Sequence, residues 1–206
     1  MNIMDSKLIK AIIENNNHPI SENDPNFITN ENIDYCFIYH NIFGFTLYSK
    51  EDLDKIAKFL NDKKVLEVLS GCGFLAKELK IRGVNIIATD DFSWHDDGWI
   101  DWTKDNIICL DACEAIEKYK DWADIIIMAW PPYEDNNDIG SKVLKLCIQY
   151  NIPLLYQGEW DGGNCASEEF FNLIYKKCNF KPNILPTHRF KYYHNKWYLI
   201  ESKEGE

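Results

Sequence analysis

From Lys64 onward the chain alternates short aliphatic runs with stretches of helical periodicity, and that alternation limits the folds open to it. Val65–Leu69, Val84–Thr89, Asn106–Leu110, Asp124–Ala129 and Pro153–Gln157 read as strands. Phe74–Arg82, Ala112–Lys120, Ile139–Tyr150 and a stretch from Ser167 to about Cys178 read as helices, with Gly83, Asp111 and Ser167 placed as caps. A further helix, capped by Ser49 and running to about Asn61, precedes them with Leu53, Ile56, Ala57 and Leu60 on one face. Strands separated by helices imply a parallel sheet with right-handed crossovers and a helical layer on each side. The end differs. Asn183–Tyr193 and Lys196–Glu201 are β-rich and separated by His194-Asn195, which predicts an antiparallel hairpin.

At 206 residues there is room for one such domain, expected over 35–206, behind an irregular N-terminal extension over 1–34 with a short helix near Ser6–Glu14. No apolar run reaches membrane-spanning length, and Met1–Lys10 lacks the basic-then-apolar order of a signal peptide, so a cytoplasmic protein is expected. Seven scattered cysteines fit reduced thiols and complete no zinc-ligand cluster, so no metal is expected. The formal net charge of −11 repels nucleic acid, and Lys176-Lys177 and His188–Lys196 are sparse basic patches. A small-molecule or protein substrate is easier to reconcile with that charge.

Two places carry chemistry. The first is L-S-G-C-G-F, Leu69 to Phe74, between the first strand and its helix. Gly71 and Gly73 tolerate positive φ and let a ligand approach the backbone, and the helix N-terminus behind them offers free amide hydrogens. About twenty residues on, the second strand ends in Thr89-Asp90-Asp91, where nucleoside-binding α/β folds place an acid for ribose hydroxyls. Asp111, after the third strand, is placed either to contact a base or to cap the next helix. A plain strand-to-helix turn also accounts for the glycines. The second place is W-P-P-Y, Trp130 to Tyr133. Two prolines cannot sit in a sheet ladder, so the fourth strand must end near Ala129 in a stiff aromatic shelf.

Taken together, these motifs resemble class I S-adenosylmethionine-dependent methyltransferases over about Tyr48–Glu201. V-L-E-V-L-S-G-C-G resembles the cofactor glycine motif, with Glu67 as its leading acid and Ser70, Gly71 and Gly73 in the turn. I-I-A-T-D resembles the ribose-binding motif, with Asp90 and Asp91; C-L-D-A resembles the adenine-side motif, with Asp111. W-P-P-Y resembles the catalytic loop of a little-characterised group in which a G-E-x-x-G-G loop follows the fifth strand. The resemblance implies a Rossmann-like three-layer sandwich, a seven-stranded mostly parallel sheet, S-adenosyl-L-methionine as cofactor, and methyl transfer by in-line displacement. A dinucleotide oxidoreductase fits less well: G-C-G-F-L-A has Ala76 in place of a third glycine, and the terminal hairpin does not suit its sheet.

Amino-methylating relatives carry Asp or Asn before the prolines, to accept a hydrogen bond from the target amine. Here the position is Trp130, whose indole donates and accepts nothing. That weakens adenine N6-type methylation and leaves an aromatic floor of Trp130 and Tyr133, with the Pro131 backbone between them. Such a floor suits a planar or cationic acceptor. Glu159, after the fifth strand, is the expected proton acceptor, its carboxylate between Trp130 and Trp160; Asp161 and His95 are the alternatives. Two rival readings stand: a methyltransferase acting on nucleic acid, in which local basic residues outweigh the global charge, and a non-catalytic cofactor-binding or interaction protein that lost its acceptor group. In a further one, Trp130 simply packs into the core.

Overall fold

The computed structural model describes residues 44–46, 48–93, 107–133, 138–187 and 193–203. The expected N-terminal helix and the Trp94–Asp97 loop, with His95, lie outside them. Helix α1 (Lys50–Phe59) opens with a capping box: Ser49 Oγ accepts from the Asp52 amide, and Asp52 Oδ2 accepts from the Ser49 amide. There follow β1 (Lys64–Val68), α2 (Phe74–Ile81), β2 (Asn85–Asp90), β3 (Ile107–Cys109), α3 (Ala112–Tyr119), β4 (Ile125–Ala129), α4 (Ile139–Tyr150), β5 (Leu154–Gly158), α5 (Glu168–Lys177), β6 (Cys178–Pro182) and β7 (Lys196–Ser202). The strands form one seven-stranded sheet in the order β3-β2-β1-β4-β5-β7-β6. The first five are parallel, and β7 runs antiparallel to both β5 and β6. The alternation predicts the parallel α/β part of this sheet, and the seven-stranded Rossmann-like form is the one the family resemblance implies.

Strand alternation sorts the core into two layers. Leu66, Val68, Ile126, Met128, Leu154 and Tyr156 pack under α3, α4 and α5. Val65, Ile125, Ile127, Leu155 and Trp197 pack under α1 and α2. Each such side chain contributes about 1.5–3 kcal/mol on burial. Glu67 falls on the α1/α2 side of β1 and is 2% exposed, a carboxyl among aliphatics.

The terminal hairpin forms, but its first arm lies earlier than the sequence indicates. The partner of β7 is Cys178–Pro182, not Asn183–Tyr193. Helix α5 ends at Lys177, and Cys178 is already extended (φ −127°, ψ 153°), so helix passes directly into strand. Helical periodicity hides such a junction because Ile174 and Cys178 are both buried and stand at i, i+4.

Strand order reverses between β1 and β4. In such sheets a crevice opens at that point, outside the carboxyl ends of the strands. Backbone strain gathers on this edge. Leu69 (φ 54°), Phe92 (φ 56°) and Trp130 (φ 51°) follow β1, β2 and β4 in left-handed conformations that non-glycine residues rarely adopt. Strain of this kind concentrates at functional sites.

Candidate functional site

The turn after β1 is stapled to the end of β2. Ser70 donates to the Thr89 carbonyl from its amide (3.1 Å) and its hydroxyl (2.7 Å), and the Gly73 amide closes the turn on the Ser70 carbonyl at 2.8 Å. Asp90 is 4% exposed. Its Oδ2 accepts from the Gly71 amide at 2.7 Å, and its Oδ1 accepts from the Phe92 amide at 2.8 Å. Asp91 points elsewhere: it is exposed and its Oδ1 accepts from the Ser93 amide. Of the two acids ending the I-I-A-T-D run, Asp90 is therefore the one at the glycine turn.

Gly71 (φ 55°) and Gly73 (φ 71°) both use the left-handed region. A Cβ at Gly71 would meet no atom within 4 Å, so the turn faces open space. Helix α2 begins at Gly73 with no side-chain cap. Glu67 reaches the same helix start, and its carboxyl accepts a backbone hydrogen bond from Ala76 while Oε2 has no partner among the described residues. Burial, then the neighbouring Asp90, push its acidity to about 8; the Ala76 amide opposes them. At neutral pH Glu67 thus holds a proton. Burial also lifts the Cys72 thiol to about 11, so it is no ready nucleophile. The Asp90 carboxylate, open backbone and an uncapped helix start make a cradle that fits a ligand with hydroxyls and an anionic end. Asp111 Oδ1 accepts from the Cys113 and Glu114 amides at 2.8 and 3.1 Å and so caps α3.

Beyond β4 the shelf is braced by the loop after β5. Pro132 pairs with Cys165 in an isolated bridge, and the Pro131 carbonyl accepts from the Ala166 amide at 3.1 Å. Trp130 is half-buried. Its amide donates to the Gln157 carbonyl at 2.7 Å, and its indole Nε1 donates to Thr46 Oγ1 at 2.9 Å. Phe45 lies flat on the indole, with centroids 4.8 Å apart and planes 18° apart, and Tyr193 meets it edge-on at 5.1 Å. Tyr133 is 50% exposed. The aromatic floor is thus built from Trp130, Phe45 and Tyr193, with Tyr133 at the rim.

Glu159 is 3% exposed, and both its oxygens are engaged. Oε2 accepts from the Asn164 amide (2.7 Å) and side chain (2.9 Å), and Oε1 accepts from the His194 amide at 2.8 Å. The expected position between two indoles is not what forms. Trp160 stacks on Tyr198 at 4.1 Å and packs against Phe171 and Phe180, on the β6–β7 side of the sheet. Asp161 accepts from the Tyr175 hydroxyl there.

Several site residues escape a sequence reading. Gln157 is fully buried, and its Oε1 accepts from the Thr46 and Tyr48 hydroxyls at 3.0 and 2.9 Å. Asn195 is 1% exposed, and its Nδ2 donates to the same Thr46 Oγ1 at 3.3 Å. The available signal was a glutamine ending the apolar run L-L-Y-Q. Among the described residues no group of His, Cys, Asp or Glu could hold a metal ion, and no helix is long and apolar enough to cross a membrane.

No family model matches the chain, and no curated protein matches it. Solved structures do resemble it. One is a tRNA (uracil-54, C5)-methyltransferase of Pyrococcus abyssi in complex with S-adenosyl-L-homocysteine, 14% identical over 77% of this chain and 40% of that one, with a TM-score of 0.46. A magnesium protoporphyrin IX methyltransferase of Synechocystis with bound SAM is 10% identical over 74% and 79%, with a TM-score of 0.48. A SAM-dependent methyltransferase of Archaeoglobus fulgidus is 14% identical over 82% and 100%, with a TM-score of 0.49. The chain spans two fifths of the length of the first of these.

Proposed function

We propose that the protein binds S-adenosyl-L-methionine and transfers its methyl group to a small molecule or a protein side chain. The observation that carries this reading is the cradle after β1: Asp90 hydrogen-bonded to Gly71, open space before that glycine, and Glu67 buried behind the uncapped start of α2. Ribose hydroxyls would take Asp90. The α2 amides suit a carboxylate. Bound there, the cofactor supplies a methyl group already activated on a sulfonium. The protein's part is then to position the acceptor, align it and keep water out.

The acceptor side argues for a substrate other than an exocyclic base amine. Trp130 offers a donor already given to Thr46, and the Pro131 carbonyl has one lone pair committed to Ala166. The net charge of −11 points the same way. Three N–H bonds already converge on the Glu159 carboxylate, from the Asn164 amide and side chain and from the His194 amide. We assign it first as the brace that holds the loop after β5 to the segment before β7. The second reading, cofactor binding without transfer, draws on the same missing acceptor at Trp130.

Labelled-methyl transfer separates these readings. Purified protein and radiolabelled cofactor are incubated with extract split into small-molecule, protein and nucleic-acid fractions. Label in either of the first two supports the proposal. Label in nucleic acid alone overturns the substrate class, and no label from a protein that binds cofactor favours the non-catalytic reading.

A further inference from the structure

Thr46 Oγ1 is the hub of a buried polar cluster beside Trp130. It accepts from the Trp130 indole and from Asn195 Nδ2, and it donates to Gln157 Oε1. A hydroxyl has one proton and two lone pairs, so this one is used up. Gln157 and Asn195 are each turned toward it by one end of the amide. The other ends, Gln157 Nε2 and Asn195 Oδ1, are buried with no hydrogen-bond partner among the described residues. Turning the Gln157 amide over would ask Thr46 to accept a third bond. Turning Asn195 over would exchange one unpartnered atom for another. Whichever way the amides are placed, both present an unused polar atom.

A buried donor or acceptor left without a partner is costly, and most such groups in folded proteins are satisfied. Two on one hub, at the carboxyl end of β5 and next to the shelf after β4, mark a place that a ligand completes. We propose that Gln157 and Asn195 are specificity-determining residues for the methyl acceptor, and that the acceptor is a small planar molecule with a lactam or carboxamide edge. An amide edge offers a carbonyl to one side chain and an N–H to the other. An ammonium, a carboxylate or a hydrocarbon leaves at least one of the two unmet. Planarity follows from Phe45, whose ring already lies on Trp130 as a flat ligand would. Both unpartnered atoms are closed to solvent, so the acceptor reaches them only as the side chains that cover them move aside. A base within a polyphosphate chain suits the site less, given the net charge of −11.

This assignment rests on the methyltransferase reading, and the test keeps the two apart. Thermal shift and titration calorimetry are run with 2-pyridone and benzamide, against benzylamine, benzoate and toluene, on the free protein and with S-adenosylhomocysteine present. The expected result is saturable binding of the two amides alone. It weakens at least tenfold in Gln157→Leu and in Asn195→Leu, while S-adenosylhomocysteine affinity changes less than twofold. Gln157→Met, which keeps the length of the side chain, replaces Gln157→Leu if that variant does not fold. The assignment is overturned if neither amide binds wild-type protein, if amine or carboxylate binds as tightly, or if the variants bind unchanged. A uridine oligonucleotide binding more tightly than 2-pyridone would overturn the small-molecule class. Amide binding without S-adenosylhomocysteine binding would sink the cofactor reading and leave this site standing.

Discussion

Glu67 is a carboxyl buried among aliphatic side chains, and its placement is costly. It ionises near 4.5 in an unfolded chain and near 8 in the folded one. Between those values the unfolded state binds fewer protons, so stability falls as pH rises: this contribution is full below about 4.5 and gone by about 8. The size is on the order of a few kcal/mol. Glu67→Gln abolishes the titration, so its melting temperature relative to wild type is expected to climb from pH 5 to pH 8. Parallel curves in scanning calorimetry would contradict the burial argument. Glu159 calls for a different variant. Gln in its place cannot accept at both oxygens, so a brace predicts a stability loss of about 1.5–3 kcal/mol, or a fall of about 3–12 °C for a chain of this length. A base predicts lost turnover with the melting temperature unchanged. At this scale the sequence showed only part. Asp90 and the glycines announce themselves by position after a strand. Thr46, Gln157 and Asn195 meet from three distant segments, and no local pattern records that.

The elements follow from periodicity with small shifts at their ends. Strand β5 begins one residue later than expected and reaches Gly158, and α4 matches at both ends. Strand β6 is the exception. The alternation of burial that marks a half-buried strand is missing from Cys178–Pro182, an edge strand exposed at all but its first residue. The turn between β1 and α2 yields a further expectation. Gly71 is left-handed with open space beyond its Cα, so Gly71→Ala should cost about 1 kcal/mol of backbone strain, near the lower end of what such positions cost. Its methyl would project into the cradle and weaken S-adenosylhomocysteine binding by much more than that strain. Calorimetry on the folded variant checks this, and unchanged affinity would place the ligand elsewhere.

For the molecule as a whole, alternation and a terminal β-rich segment were enough to predict the sheet, because connection rules leave few ways to wind five strands with helices between them. The charge was legible too, and it carries its own expectation. With −11 overall, the protein should bind neither duplex DNA nor tRNA at physiological salt in fluorescence anisotropy, and tight salt-dependent binding would reinstate a nucleic-acid substrate. The central claim is the cofactor cradle, and calorimetric titration with S-adenosylhomocysteine tests it most directly. Saturable one-to-one binding is predicted, weakened at least roughly tenfold in a folded Asp90→Ala variant, since each ribose hydrogen bond to a carboxylate contributes about 1.5–3 kcal/mol. NAD should give no binding heat. Binding of NAD but not of S-adenosylhomocysteine, or an Asp90→Ala variant of unchanged affinity, would contradict it.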